Sequence, residues 1–225
     1  MSRLRPTVRL DAFLQLRSGF YYAAAFVTLV WVALLYPLPA TILDLAVPLV
    51  VFTDLAVTGY YFIAGMVLFE KGKETLYALV STPLRFREYL ISKLATLTAL
   101  AVVVSLVVAA AGYGFGFNAV MLVLGVISMS LISLLVGFIA ISPFDSISSY
   151  LIPSGIPFLG LWESPLFYLV PTQGSLLLLG GALGAGSLAV WQILYAVFYQ
   201  LLCIYGLVFL AYRTFDRYFM ARKGG

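Results

Sequence analysis

Histidine is absent from the 225 residues, and cysteine occurs once, at Cys203. The first absence excludes Ser-His-Asp triads, intramembrane Ser/His pairs, and His-ligated zinc or haem. The second excludes an internal disulfide and any thiolate cluster. Charge is scarce as well: Asp, Glu, Lys and Arg make up 10% of the chain, against roughly a quarter in a soluble domain. What fills the chain instead is apolar. Hydrophobic and aromatic residues account for 63%, and the mean hydropathy is +1.07. A soluble domain of this size cannot hide that much apolar surface, because its exterior must still be wetted. The composition therefore describes an integral membrane protein with several spans.

Gaps between charges locate the spans. The first is expected at about Phe20 to Tyr36, stopped by Pro37 and Pro39, and the second at about Leu45 to Phe69, broken only by Asp54. The charge-free run from Leu94 to Phe144 is too long for one helix and suits two, joined by a turn at Gly112–Asn118. The fourth span then covers about Ala119 to Ile141, and Ser142-Pro143-Phe144-Asp145 is the next break. A fifth, about Ser146 to Leu161, carries Pro153, Gly155 and Pro157, which predict a kink. A sixth covers about Leu188 to Tyr212. The stretch before it, within residues 163–187, is interrupted by Pro171-Thr-Gln-Gly174 and reads as a re-entrant or interfacial hairpin, with a seventh span as the rival. The expected fold is thus all-α and polytopic, one transmembrane domain over residues 1–225.

Charge placement favours six spans. Arg3, Arg5, Arg9 and Arg17 lie in the N-terminal arm, Lys71, Lys73, Arg85, Arg87 and Lys93 after the second span, and Arg213, Arg217, Arg222 and Lys223 in the tail. With six spans all thirteen basic residues fall on one side, which the positive-inside rule makes the cytoplasm. Both termini are then cytoplasmic, and the outer loops hold only Asp44 and Glu163. The basic residues thereby serve membrane orientation, and no nucleic-acid partner is expected. The arm leads into a full-length span without a small-residue cleavage site, so no cleavable signal is expected.

Two cytoplasmic pieces are patterned. In residues 1–19, Leu10, Phe13 and Leu14 share one helical face, while Arg9, Asp11, Gln15 and Arg17 populate the other. That pattern suits a helix along the membrane surface, either as a lipid anchor or as a docking element. In residues 70–93, Glu70 and Glu74 stand one turn apart, Leu76, Leu79 and Val80 form an apolar patch, and Ser81-Thr82-Pro83 ends the helix. A second helix, opening with Arg85, Arg87 and Glu88, runs into the third span. A stub of amphipathic helix between two crossings suits transmission of force from a soluble partner.

That segment resembles the coupling helix of type-2 ABC transporter permeases. The match lies at Glu70, Lys71, Gly72, Thr75, Leu76, Leu79, Thr82, Pro83, Leu84, Arg87, Glu88 and Lys93, with looser likeness at Asp11, Arg17-Ser-Gly-Phe-Tyr-Tyr22 and Phe52-Thr-Asp54. Together these residues are similar to the small permeases that export fluoroquinolones. The resemblance implies a plasma-membrane half-transporter moving a small amphipathic drug or metabolite outward. It also implies contact with an ABC ATPase through Glu70, Lys71, Gly72, Glu74, Thr75, Leu76, Leu79, Thr82, Pro83 and Arg87, and pairing with a second permease chain of the same or different sequence. ATP and Mg would bind the partner, and no cofactor this chain. The residues agree, since no phosphate-binding Gly-x4-Gly-Lys-Ser/Thr loop exists here: Gly72-Lys73 is followed by Glu74.

Asp54 is the one ionisable group set within an apolar span, where a carboxylate is costly and function is the default reading. Asp54, Thr58, Tyr61 and Gly65 share a helical face that would suit a cationic or zwitterionic drug. Alternatively, Thr53-Asp54 caps a span that begins only at Leu55. The stripe Gly125, Ser128, Ser130, Ser133 and Gly137 reads as close helix packing. Two other classes stay open. An intramembrane enzyme is opposed by the missing histidines and by the lack of clustered acids at membrane depth. A non-catalytic membrane factor, such as an immunity or channel-like protein working without an ATPase, is the alternative to the exporter.

Overall fold

The computed structural model describes residues 4–72, 86–144, 172–183, 188–215 and 217. Among these residues the structure is all helical. The elements are α1 (Leu4–Arg17), α2 (Phe20–Leu35), α3 (Ala40–Gly72), α4 (Phe86–Tyr113), α5 (Ala119–Ile141), α6 (Thr172–Ala182) and α7 (Val190–Phe215). Four of them, α3, α4, α5 and α7, are long and apolar enough to cross a membrane individually. A fifth crossing arises if α1 and α2 count as one element bent by 63°. The expected span at 146–161 lies outside the described residues, as do the whole of segment 73–85 between α3 and α4 and the chain beyond α7 apart from 217.

The helix boundaries follow local chemistry. Gly19, at φ 84°, makes the corner between α1 and α2, and Gly114, at φ 61°, makes the turn after α4. A side chain at either position would strain the left-handed backbone. Asn118 caps α5 by accepting a hydrogen bond from the Met121 N–H at 3.2 Å. The α5 helix matches its expected limits, whereas α3 does not. It starts at Ala40, five residues earlier than expected, because Pro39 opens it and its carbonyl accepts from Ile42 and Leu43. Asp44 is therefore helical rather than part of an outer loop. At its other end α3 runs through Glu70 and Lys71 to Gly72.

Of the expected re-entrant stretch at 163–187, residues 163–171 and 184–187 lie outside the described residues, and from Thr172 onward α6 is continuous for 11 residues. At ~1.5 Å per residue it covers roughly half the hydrocarbon thickness. It is buried against α5 and α7, and the Asn118 N–H donates to the Ala182 carbonyl at 3.0 Å, joining the end of α6 to the start of α5.

The centre of the bundle is α5, which packs on α3, α4, α6 and α7. It is lined with small residues where neighbours come closest. A Cβ on Gly137 would stand 2.6 Å from the Tyr60 carbonyl oxygen and 2.7 Å from Ile63 Cγ2. Gly125 meets Leu178 and Leu179 of α6, and Gly59 meets Ser133. In lipid no hydrophobic effect drives helices together, so this close approach and hydroxyl pairs supply the association. Thr98 and Ser130 pair at 3.3 Å between α4 and α5. Ser128, Ser175 and Gln200 form a buried knot between α5, α6 and α7. The Gln200 amide is oriented with its oxygen on Ser175 and its nitrogen on Ser128 and the Ala196 carbonyl. The small-residue stripe is thus helix packing.

Gly137→Ala should lower stability by about 1–3 kcal/mol through overpacking of the α3–α5 crossing. Gly206→Ala on α7, where a Cβ would meet nothing within 4 Å, should not lower it and should raise it by up to about 1 kcal/mol. Thermal unfolding of the two variants in one detergent checks the contrast.

Candidate functional site

Two polar sites interrupt the apolar interior. The first lies where α1, the end of α3 and the start of α4 meet. Lys93, on the first turns of α4, is fully buried. Its Nζ stands 2.5 Å from Glu70 Oε1 and 3.4 Å from Asp11 Oδ1. The Tyr89 hydroxyl donates to Glu70 Oε2 at 2.7 Å, and the ammonium lies 4.7 Å from the Tyr89 ring centre. Ser92 donates to Asp11 Oδ2. Gln15 Nε2 donates to Thr96 Oγ1 at 2.6 Å.

One ammonium therefore bridges two carboxylates from different helices. The surrounding hydroxyls satisfy further oxygens, which is the condition under which a buried ion pair is tolerated.

The α1 helix is turned as this chemistry demands. Leu10, Phe13 and Leu16 are exposed, whereas Asp11 and Gln15 are buried against α4. Asp11 and Gln15 dock on the chain's own bundle, while Arg9 and Arg17 stay exposed alongside Leu10, Phe13 and Leu16, and Leu14 is half-buried.

Of the residues read as coupling contacts, Glu70, Lys71, Gly72 and Arg87 are described, while Glu74, Thr75, Leu76, Leu79, Thr82 and Pro83 lie outside the described residues. Glu70 belongs to α3 and is buried in the cluster just described. Lys71 reaches the C-terminal end of α5, donating to the carbonyls of Ser142 at 2.8 Å and Phe144 at 2.7 Å. A cation there suits the negative end of the helix dipole. Gly72 closes α3. The Arg87 guanidinium lies 5.5 Å from the Tyr212 ring centre, linking α4 to α7.

The second site is Asp54. It lies deep inside α3 and so is not the cap of a span starting at Leu55. Its Oδ1 accepts from Trp31 Nε1 and Thr58 Oγ1, each at 3.0 Å. Both donors are neutral, and no cation pairs with Asp54 among the described residues. Asp54 and Thr58 line a narrow cleft, together with Ala24, Gly59, Leu97 and Ser130. The cleft follows the seam between the two apolar clusters of the bundle. Tyr61 does not join them. It packs edge-on to Tyr60 in the apolar cluster on the Glu70 side, and Gly65 faces Phe20. Trp31 was not singled out in the sequence, where it is one aromatic among many in an apolar run. Lys93 carried a signal, being the last charge before the long apolar run.

Span-length apolar helices knit by a buried ionic cluster define a multi-pass helical membrane protein, with a carboxylate-bearing cleft in its interior. The chain belongs to the fluoroquinolones export permease protein family, whose profile matches residues 2–223. Its relatives include the fluoroquinolones export permease proteins of Mycobacterium tuberculosis strains CDC 1551 / Oshkosh and ATCC 25618 / H37Rv. Each is 43% identical over 235 residues, covering 100% of this chain and 99% of the relative. No solved structure matches the chain.

Lys93→Met should cost about 3–5 kcal/mol, because Glu70 and Asp11 are left buried without their cation. Adding Glu70→Gln should recover a large part of that loss. Thermal unfolding of both variants closes the test, and additivity of the two changes would contradict the ion-pair assignment.

Proposed function

We propose that the chain is the membrane subunit of an ABC exporter, carrying a small amphipathic drug or metabolite of fluoroquinolone type out of the cell. ATP is hydrolysed on a separate ATPase chain, and a second permease chain completes the assembly. Six spans cross the plasma membrane with both termini in the cytoplasm. The family carries the export activity. The chain itself offers no phosphate-binding loop, which supports placing the nucleotide chemistry on a partner.

The observation that carries the mechanism is the Lys93 cluster. It ties the end of α3 to the start of α4, the two flanks of segment 73–85, and adds α1 to the same knot. Residues Glu70 to Pro83 act as the coupling helix. A push on that segment by the ATPase reaches both helices together, because their ends are joined ionically and cannot slide independently. Lys71 extends the connection to the end of α5. Rigid-body rearrangement of packed helices then exchanges inward-open and outward-open states.

Asp54, Thr58 and Tyr61 lie on the substrate side of this mechanism. A carboxylate held by two neutral donors in an apolar cleft suits a cationic amine. In the state described, Asp54 and Thr58 line the cleft, and rearrangement would bring Tyr61 to it. The α7 helix buries only Ala196, Gln200, Ala211 and Phe215, and its outward Phe198, Leu202 and Tyr205 suit lipid or the second permease chain.

Reconstitution with the cognate ATPase in vesicles tests the reading. Wild-type protein should accumulate a fluorescent fluoroquinolone in inverted vesicles on addition of ATP. Glu74→Arg combined with Pro83→Ala should abolish transport and substrate-stimulated ATP hydrolysis while the protein remains folded. Asp54→Asn should weaken transport of cationic substrates by about tenfold or more, on the scale of one lost charge-assisted contact. Transport that survives the coupling double variant contradicts the assignment of that helix. Transport without any ATPase turns the reading toward a channel-like factor.

A further inference from the structure

Beside the Lys93 cluster lies a pocket that the proposed transport cycle leaves without a task. It lies between α1 and α3, and its walls are Leu14, Gln15, Ser18, Phe20, Met66, Phe69 and Glu70. Four of these side chains are large and apolar. Phe69, at its edge, is 42% exposed, so the pocket meets the outer surface of the bundle there.

Its polar floor is unusual. Gln15 is fully buried, its amide nitrogen is committed to Thr96, and among the described residues its Oε1 has no hydrogen-bond partner. Glu70, on the α3 side of the pocket, is 6% exposed. Its carboxylate accepts from Lys93 and Tyr89, which occupies two of about four lone-pair positions. Among the described residues of the wall, Gln15 and Glu70 therefore carry spare acceptor capacity, and Ser18 is the one lining side chain with a hydroxyl donor. The charge balance points the same way, since two buried carboxylates, Asp11 and Glu70, share one ammonium. A buried acceptor without a partner is costly, and a pocket that presents one beside spare carboxylate capacity calls for a donor.

We propose that this pocket binds the primary ammonium group of an amphiphile. The N–H donors meet Gln15 Oε1 and Glu70, and the apolar chain leaves past Leu14 and Phe69. The position beside an interfacial helix with exposed Leu10, Phe13 and Leu16 favours a molecule that is itself held at the membrane surface. Two sources share this chemistry, an ethanolamine phospholipid and a soluble amphiphilic amine. Donor count is the recognition element, because a quaternary ammonium has the same charge and no N–H. This inference does not depend on ATP-driven export, and its test contains no ATPase.

The experiment is thermal unfolding of the purified full-length protein in a neutral detergent, with added ligand. One arm compares phosphatidylethanolamine with phosphatidylcholine. The other compares decylammonium with decyltrimethylammonium. The primary amine should stabilise at a concentration about tenfold or more below its quaternary counterpart, the scale of a charge-assisted hydrogen bond. Preference in the lipid arm identifies a bilayer lipid as the occupant, and preference in the soluble arm alone identifies a soluble amine. Gln15→Leu, which removes the acceptor, and Leu14→Trp, which fills the pocket from its rim, should each erase the preference. Should Gln15→Leu fail to fold, Leu14→Trp decides. Equal response to primary and quaternary amines in both arms, or a preference that persists in Leu14→Trp, overturns the proposal and leaves the pocket to water.

Discussion

One buried ammonium organises the interior of this protein at the end where α1 docks. Lys93 is buried completely, and it is paired with carboxylates from two other helices. The desolvation cost of such a group is several kcal/mol in effective terms, and it is offset only when geometry and secondary hydrogen bonds are good. Tyr89, Ser92 and their neighbours meet that requirement. The same requirement dictates how α1 lies, because Asp11 must reach Lys93 and so the side of α1 that carries Asp11 and Gln15 turns inward. The outward display of Leu10, Phe13 and Leu16 is a consequence of that ionic demand.

The remaining bundle follows a different rule. Between apolar helices in an apolar solvent, burial of hydrocarbon gives little net driving force, so close approach and paired hydroxyls carry the packing. Gly137 against the Tyr60 backbone and the Ser128–Ser175–Gln200 knot are the two forms this takes. Both lie on α5, and α5 is the helix that contacts every other long one. Asp54 stands apart from both rules. Among the described residues it has no ionic partner, it is not displaced to an end, and it faces a cleft at the seam between two apolar clusters. An arrangement that leaves a carboxylate with neutral donors only is costly to maintain, and in the proposed transport cycle its use is to meet a cationic substrate.

Much of the architecture was legible in the sequence where the signal was local. The limits of α5 follow from Asn118 and from the break after Ile141, and the turn before it follows from clustered glycines. Charge was a poorer guide to helix ends. Asp44 and Glu70 were read as marking the limits of a span, yet both belong to α3, since Pro39 opens the helix earlier and Lys93 neutralises Glu70 from another helix. The face of Asp54, Thr58 and Tyr61 was half right. The 3.6-residue repeat placed Thr58 against Asp54, but the bundle's own packing turned Tyr61 toward Tyr60.

The amino-acid order alone determined that this chain lives in a bilayer, because 63% apolar content leaves no wettable surface. It also determined the family, through motifs read along a single stretch. Only the tertiary structure decided which polar residues meet. Asp11, Glu70 and Lys93 are separated by tens of positions, and nothing in local periodicity links them. Their pairing comes from the cost of leaving any one of them alone in a medium that cannot solvate charge.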